Sequence, residues 1–560
     1  MERKLRSYVE PGSVRWAMRR AQWGVFGINE EDMEKPKIAI VNTSSNLAAC
    51  FAHLDGIAAK MKEEIRAAGG LPFEVRTAAP SDAVTSMGRK GGYILPARDL
   101  IVNDVEVAVE GAMLDGMICL VSCDKTVPGL LMAAARLNIP TIVVACGYQP
   151  SGQYRGEHID FEDLWLNAVK QQNGKRVYSV EELSEMSKNA ILGPGVCAGM
   201  GTANTMHIVC EALGMALPGS TPVLANSQKM WDTVGLAAKR IVQMVWDDLK
   251  PRDILVPEAF ANAVKVVLAI SGSINAVKHL QALAREAQMD VDIYGMFERF
   301  ADEIPLLSAV RPNGEHTIEQ FEAAGGAQAV LKQLESFLHT DTITVSGRTI
   351  KENLHGIAIS DEEVIRPVNR AFVNRPSIVL IRGSLAPDTG IVKLAVTDDR
   401  QLQFSGPAIV FNSADEAIEG VHKGLIKPGH VVVVRGLGPK GAPGMGFLSN
   451  FVFALNGASL GDKVAVVTDG QQSGLSNMSL AVNEVSPEAA EGGPIGLVED
   501  GDTIVIDVEK RFVNLEVPES ELELRRSRLN GAPVMEEHGW LSIYQRLVRP
   551  LPETGGILFK

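Results

Sequence analysis

Residues 120–147, LVSCDKTVPGLLMAAARLNIPTIVVACG, constrain the fold more tightly than any other stretch. An apolar run ends at Cys123, the polar step Asp124-Lys125-Thr126 follows, and a helical pattern begins after Pro128. Asn138-Ile139-Pro140 ends that pattern, because proline cannot continue a helix and restricts the residue before it. The β-branched run 141–144 then reads as a strand. Strand, loop, helix, strand is the unit of a parallel α/β sheet, and ligands in such sheets sit beyond the carboxyl ends of the strands. A thiol, a carboxylate and an amine stand at that place. They can act as metal ligands with a charged anchor, or as a half-buried cysteine beside a surface ion pair. The segment alone weighs the two equally.

The same alternation runs through the first half of the chain. Residues 1–36 read as an irregular arm with short helices. Residues 36–42 (PKIAIVN) predict a buried strand that leads through Thr43-Ser44-Ser45-Asn46 to Cys50. Helical periodicity covers 53–68 and stops at Gly69-Gly70. A second strand over 72–77 leads to Ser81-Asp82, followed by a glycine-rich cationic loop at 87–92 and a helix over 96–114. Residues 193–201 (GPGVCAGMG) form a tight turn into a long helix, whose free N–H groups favour negative charge. Residues 220–370 are mostly helical by pattern, with another small-residue turn at 271–275. Near residue 371 the texture changes to short β-rich runs separated by glycine turns, which predicts a barrel-like β domain. The expected fold class is α/β: a layered domain over 1–370 and a β-rich, swivelling-type domain over 371–560.

Composition limits the class of function. With 54 basic against 68 acidic residues the net charge is −14, which argues against a nucleic-acid surface. No apolar run reaches the roughly 18–20 residues of a membrane span, and the first residues lack the apolar core of an export signal. The expected setting is the cytoplasm, with no membrane and no nucleic-acid partner. Six cysteines in a reducing compartment do not predict disulfides, and none has CxxC spacing. Cys119 and Cys210 lie in apolar surroundings and read as core residues.

Cys50, Cys123 and Cys197 differ: each follows a strand or turn and precedes a helix, at separations of 73 and 74 residues. Three thiolates without a fourth suit an iron–sulfur cluster with an incomplete protein shell. They also suit a zinc site with an open position, or are unrelated core residues, and spacing leaves all three readings standing. Asp82 and Asp124 supply hard oxygens of the kind magnesium takes, and Lys125 joins them only as a carbamate; on the bare sequence these three read first as surface charges. Residues 436–446 resemble a phosphate loop but lack its GK[ST] ending. Ser473 sits in a Ser-Gly turn.

Longer motifs then point to one family. CDKTVPGLLMAAARLNIP, GVCAGMGTANTM, EALGMALPG, SGSINAVKHL, EVIRPV, FSGPAIVFNSADEAI, GPKGAPGM, VTDGQQSG and VSPEAAEGGPIGLVEDGD resemble the dihydroxy-acid and sugar-acid dehydratases, colinearly from about residue 5 to 530. The resemblance implies that Cys50, Cys123 and Cys197 hold an iron–sulfur cluster, [2Fe–2S] in preference to [4Fe–4S]. It implies magnesium on Asp82, Asp124 and a carbamylated Lys125, and Ser473 as the base. The implied reaction is dehydration of a 2,3-dihydroxy carboxylic acid, branched or sugar-derived, to a 2-oxo acid, in a homodimer or homotetramer whose other partner is that small molecule.

The chain departs from the family pattern around one pocket. Phe447 stands where the family has a glutamate that binds magnesium. Gly470-Gln471-Gln472-Ser473-Gly474 lacks the family's arginine, the loop 86–91 is rewritten, and Glu484 replaces a histidine. These changes leave two alternatives beside the dehydratase reading: a cluster-dependent lyase or isomerase acting on a less polar substrate without a full magnesium site, and a catalytically silent paralogue.

Overall fold

The first four β-branched runs pair as parallel strands in a computed structural model, which describes residues 4–88, 91–172, 175–373, 375–394, 402–442, 444–472, 479–528 and 535–559. Strands β1 (Lys37–Asn42), β2 (Leu71–Arg76), β3 (Gly116–Val121) and β4 (Thr141–Ala145) form one sheet in the order β2-β1-β3-β4. Every residue of β1, β3 and β4 is buried, which requires cover on both faces. Two helix pairs provide it: Leu54–Ala67 with Gln228–Asp247, and Ile94–Gly111 with Thr126–Leu137. The order reverses between β1 and β3, so the crevice expected for a ligand opens beside those two strand ends.

The second half builds a sheet of eight strands. They are β5 (Ile378–Ile381), β6 (Thr389–Lys393), β7 (Gln403–Phe411), β8 (Val431–Val434), β9 (Ala465–Thr468), β10 (Leu480–Ser486), β11 (Thr503–Asp507) and β12 (Phe512–Leu515). Their order is β12-β11-β7-β8-β9-β10-β6-β5. Arg382 N–H donates to Arg511 O (3.1 Å) and Val513 N–H to Arg382 O (2.9 Å), bringing the first strand back against the last. The sheet is thus a nearly closed barrel. Alternation sorts its valines: Val431, Val433 and Val467 fill one core, whereas Val432, Val434 and Val466 pack in a second core with Phe451 and Leu455. The helices Ala414–His422 and Ser449–Gly457 are the crossovers that the parallel pairs β7–β8 and β8–β9 need. Strand β10 had no counterpart among the runs anticipated from sequence. Among the described residues no helix is long and apolar enough to cross a membrane.

Buried charge joins the two sheets. Lys278 and Glu484, exposed by 0% and 1%, form an ion pair across 206 positions of sequence, and Lys278 also bonds to Asn275. Lys393, at the end of β6, donates to Ser271 O (2.6 Å) and Ser271 Oγ (2.9 Å), so the barrel grips the turn 271–275 through its carbonyls. Ser377 Oγ–H donates to Leu268 O (3.0 Å) beside it.

Losing one partner of a buried pair leaves the other charge uncompensated, at a cost of about 3–5 kcal/mol, whereas an apolar replacement of both is close to neutral. Lys278→Met should therefore lower stability by about 3–5 kcal/mol in a denaturant titration, and Lys278→Met with Glu484→Leu should recover most of it. Equal losses in the single and double variants would show that this pair does not hold the two sheets together.

Candidate functional site

Each strand of the parallel sheet delivers a side chain beyond its carboxyl end. After β1 the chain turns through Ala49–Phe51 and presents Cys50; after β2 it presents Asp82 at the start of the short helix Asp82–Thr85. After β3 come Cys123, Asp124 and Lys125, directly before the helix Thr126–Leu137. Thr126 fixes this turn: its N–H and its hydroxyl both donate to Cys123 O (3.0 and 2.9 Å), and its Oγ1 accepts from Ser122 N–H (3.1 Å).

Cys197 arrives from farther along. Beyond β4, Val196 N–H donates to Gly147 O (3.0 Å) and Gln149 N–H to Val196 O (2.8 Å), lacing residues 195–197 to the sheet edge. Gly195 has φ +127°, and a Cβ there would lie 2.4 Å from the Tyr148 carbonyl carbon, so glycine is required for this approach. Asn204 Nδ2–H then donates to Cys197 O (2.9 Å) and Gly199 O (2.8 Å), setting the entry into the helix Thr202–Ala212.

These segments enclose one cavity of about 350 Å³, whose wall includes Cys50, Cys123, Cys197, Asp82 and Asp124. The Cys123 thiol is hydrogen-bonded to Cys50, and that bond together with burial pushes it well above the ordinary thiol range; burial also raises Cys197. Cys119 and Cys210 are plain core residues, as their surroundings in sequence suggested.

The surface-charge reading of Asp82, Asp124 and Lys125 fails. Lys125 is 1% exposed and pairs with Asp124 inside the protein. Burial would push the Lys125 ammonium down, but Asp124 and Asp82 outweigh it and leave the group raised. Burial would likewise raise Asp124, yet Lys125, His279 and Asp82 hold it well below the usual carboxylate range. Asp82 goes the other way: burial, then the neighbouring Asp124 charge, lift it well above its ordinary value. Its Oδ1 is buried with no hydrogen-bond partner. His279 Nε2 lies 3.8 Å from Asp124 Oδ1, beyond hydrogen-bond length, and burial keeps that imidazole neutral.

Phe447 also forms part of the wall. Leu448 N–H donates to Gln471 O (2.9 Å) and Gln471 N–H to Gly446 O (3.2 Å), pinning the ring in place, and its face stacks on Trp165 at 6.2 Å between centroids. Ser473 lies outside the described residues. The glycine-rich loop 436–446 offers its N–H groups to carboxylates instead of phosphate. Asp469 accepts from Gly436 (3.1 Å) and Leu437 (2.8 Å), and Glu488 accepts from Lys440 (2.9 Å) and Gly441 (2.8 Å).

Several cavity residues escaped the sequence reading. Gln149 Nε2 and Asn204 Oδ1 are buried, unpartnered and in the wall, as a donor and an acceptor awaiting a polar ligand. Their only sequence signal is proximity to Cys146–Gly147 and to the turn 193–201. Phe161 and Trp165 lie on one face of the helix Phe161–Val169.

Comparison with known proteins agrees with this arrangement over almost the full length. Residues 35–353 match the model of the dihydroxy-acid/6-phosphogluconate dehydratase N-terminal region, and residues 363–555 match its C-terminal counterpart. A dihydroxy-acid dehydratase of Ignicoccus hospitalis is 39% identical over 97% of this chain and 98% of its own. Proteins of that name from Methanosphaera stadtmanae and Aquifex aeolicus are 40% and 37% identical, over 95% and 97% of this chain and 96% and 98% of theirs. The chain belongs to the dihydroxy-acid/6-phosphogluconate dehydratase family.

Proposed function

We propose that this protein is a hydro-lyase that removes water from a small 2,3-dihydroxy carboxylic acid and releases a 2-oxo acid. The observation that carries the reading is the convergence of three thiols and two carboxylates on one cavity, with a buried lysine paired to one of the carboxylates behind its wall. Residues 1–370 supply that set, and residues 371–560 contribute Phe447 to its wall.

The donor set fits the two inorganic groups expected in such an enzyme. Cys50, Cys123 and Cys197 would hold an iron–sulfur cluster, since buried neutral thiols become thiolates only beside strong positive charge. Asp82, with an unpartnered buried oxygen, Asp124 and a carbamylated Lys125 would hold magnesium. Carbamylation removes one positive charge from the pocket and adds one negative, and a divalent cation restores both. Bound together, these groups supply Lewis acidity to the departing 3-hydroxyl and to the carboxylate as it gains enolate-like charge.

The protein's own groups orient the substrate. Gly201, Thr202 and Ala203 bring the N-terminus of the helix Thr202–Ala212 into the wall, and no side chain caps it. Thr202 Oγ1 is taken by Ser273 and Asn275 (both 2.9 Å), so the backbone N–H groups face the substrate carboxylate. Gln149 donates to one hydroxyl and Asn204 accepts from another. Ser473 takes the C2 proton, as the family resemblance implies.

Protein purified without oxygen should be brown and contain iron and acid-labile sulfide in near-equal amounts, and Cys123→Ser should lose most of both. A colourless protein containing zinc and no sulfide would replace the cluster with a zinc site. Ser473→Ala should keep the cluster while turnover falls by roughly 10²–10⁴-fold, the scale of a positioned general base; turnover above about a tenth of wild type would assign the proton to another group.

Phe447 favours a weakened magnesium site. Magnesium can fill a lost position with water, so the change lowers affinity without abolishing binding. Phe447→Glu should tighten magnesium in an activity titration and raise turnover of polyhydroxy acids relative to branched dihydroxy acids. Equal magnesium dependence and unchanged preference would place Phe447 outside the metal's reach.

A further inference from the structure

His279, on the helix Asn275–Glu286, is fully buried beside the Lys125–Asp124 pair, and its Nε2 has no hydrogen-bond partner. The other ring nitrogen is engaged: Arg98 Nη1–H donates to Nδ1 at 3.4 Å. Further bonds hold Arg98 in that position. Its Nη1 also donates to Gly555 O (3.0 Å), its Nη2 to Gly556 O (2.9 Å), and its Nε and Nη2 to Asp99 Oδ2 (3.2 and 3.1 Å). The C-terminal turn that supplies those carbonyls is itself closely seated. Gly555 has φ +69°, and a Cβ there would lie 2.2 Å from Lys278 O, while Tyr544 Oη–H donates to Gly556 O at 3.3 Å.

A guanidinium only donates, so Arg98 fixes the tautomer. With Nδ1 accepting, the neutral ring carries its proton on Nε2. Asp124 Oδ1 lies 3.8 Å from that nitrogen, too far for a hydrogen bond. The oxygen is already taken, because it accepts from Lys125 Nζ. Two donors thus stand around one carboxylate oxygen, and the lysine holds it. Carbamylation ends that hold. The Lys125 ammonium gives up one proton, its Nζ lone pair forms a C–N bond to carbon dioxide, and a second proton leaves as the carbamate forms. A cationic donor becomes an anion, and Asp124 needs a new donor in buried surroundings.

We propose that His279 is a positioning residue of the magnesium site: its Nε2–H takes over Asp124 when Lys125 becomes a carbamate, and Arg98, anchored by the C-terminal turn, keeps the proton on that nitrogen. The proposal rests on the reading of Asp82, Asp124 and a carbamylated Lys125 as the magnesium ligands. It accounts for a buried N–H left without an acceptor, which is uncommon in folded proteins. The vacancy belongs to the state in which Lys125 is still an ammonium. A partner that orients a metal-binding carboxylate in this way governs affinity by about 10–100-fold.

The test compares side chains by where they put a donor. A glutamine amide nitrogen reaches the place of Nε2, an asparagine amide nitrogen only that of Nδ1, and leucine supplies none. Magnesium binding to the anaerobically purified protein is read by calorimetry, once with bicarbonate as the source of carbon dioxide and once in its absence. With carbon dioxide, His279→Leu should bind magnesium about 10–100-fold more weakly than wild type, with iron and sulfide content unchanged. His279→Gln should recover most of that affinity, and His279→Asn should fall with leucine. Without carbon dioxide all four proteins should bind weakly and alike, since Lys125 then still holds Asp124. Should His279→Leu not fold, the comparison of glutamine with asparagine decides. Equal affinities for glutamine and asparagine, or a loss of the same size with and without carbon dioxide, would overturn the role of His279 and leave the magnesium site standing. Wild-type protein that binds no magnesium, or binds it no better with carbon dioxide, would sink the carbamate-magnesium reading and this proposal with it.

Discussion

The buried pair of Lys125 with Asp124 is the interaction on which the site depends. Asp82, Asp124 and three thiols converge on one cavity with most of their surface buried, and unpaired buried charge is costly. One lysine makes the arrangement tenable: it draws Asp124 down into the ionised range while Asp82 rises toward the neutral form. The two carboxylates are thereby distinguished by environment alone. The pair stands where the helix Thr126–Leu137 leaves the sheet, since Lys125 is its N-cap residue. Binding chemistry and backbone course are settled at one place.

The barrel's part is to hold a second layer of side chains over that pair. Lys278 with Glu484, and Lys393 with the carbonyl of Ser271, lock the turn 271–275 to β6 and β10. That turn in turn binds Thr202 through Ser273 and Asn275, so the start of the helix that faces the cavity is set by the barrel as well as by its own sheet. Asp469 and Glu488 tie down the loop that carries Phe447 by accepting its N–H groups. Carboxylates used this way are scaffolding, and they account for a glycine-rich loop that has the look of a phosphate site without its chemistry.

Much of this was legible in the sequence because the signals are local. Strand runs bounded by proline and glycine gave the parallel sheet nearly to the residue, and the position of Cys50, Asp82 and Cys123 after those strands was enough to bring them to one edge. The nearly closed barrel was likewise foreshadowed by its valine-rich runs, although β10 was hidden: LAVNEVS mixes polar residues into a strand buried on both sides. What failed was the burial of charge. Asp124 and Lys125 looked like surface residues, because nothing in one chain segment reveals that distant parts of the chain will bury it. Trp165, Gln149 and Asn204 were missed for the same reason, as their roles arise only from long-range packing.

Phe447 stands where the family resemblance puts a carboxylate. A carboxylate at that point would add attraction for a cation but would also demand hydration or a partner. The ring instead stacks on Trp165 and is fastened through its backbone neighbours to Gln471, giving a dry wall of fixed shape. Charges interact more strongly where water is excluded, so under the proposed reading Asp82, Asp124 and a carbamylated Lys125 would act on a cation beside an apolar wall. The exchange is therefore one of Coulomb attraction for exclusion of water. It narrows the ligands that fit, because a group beside that wall gains by being hydrocarbon and loses by being hydroxyl. On the proposed reading, substrate preference and metal affinity would be coupled at this position through one aromatic ring.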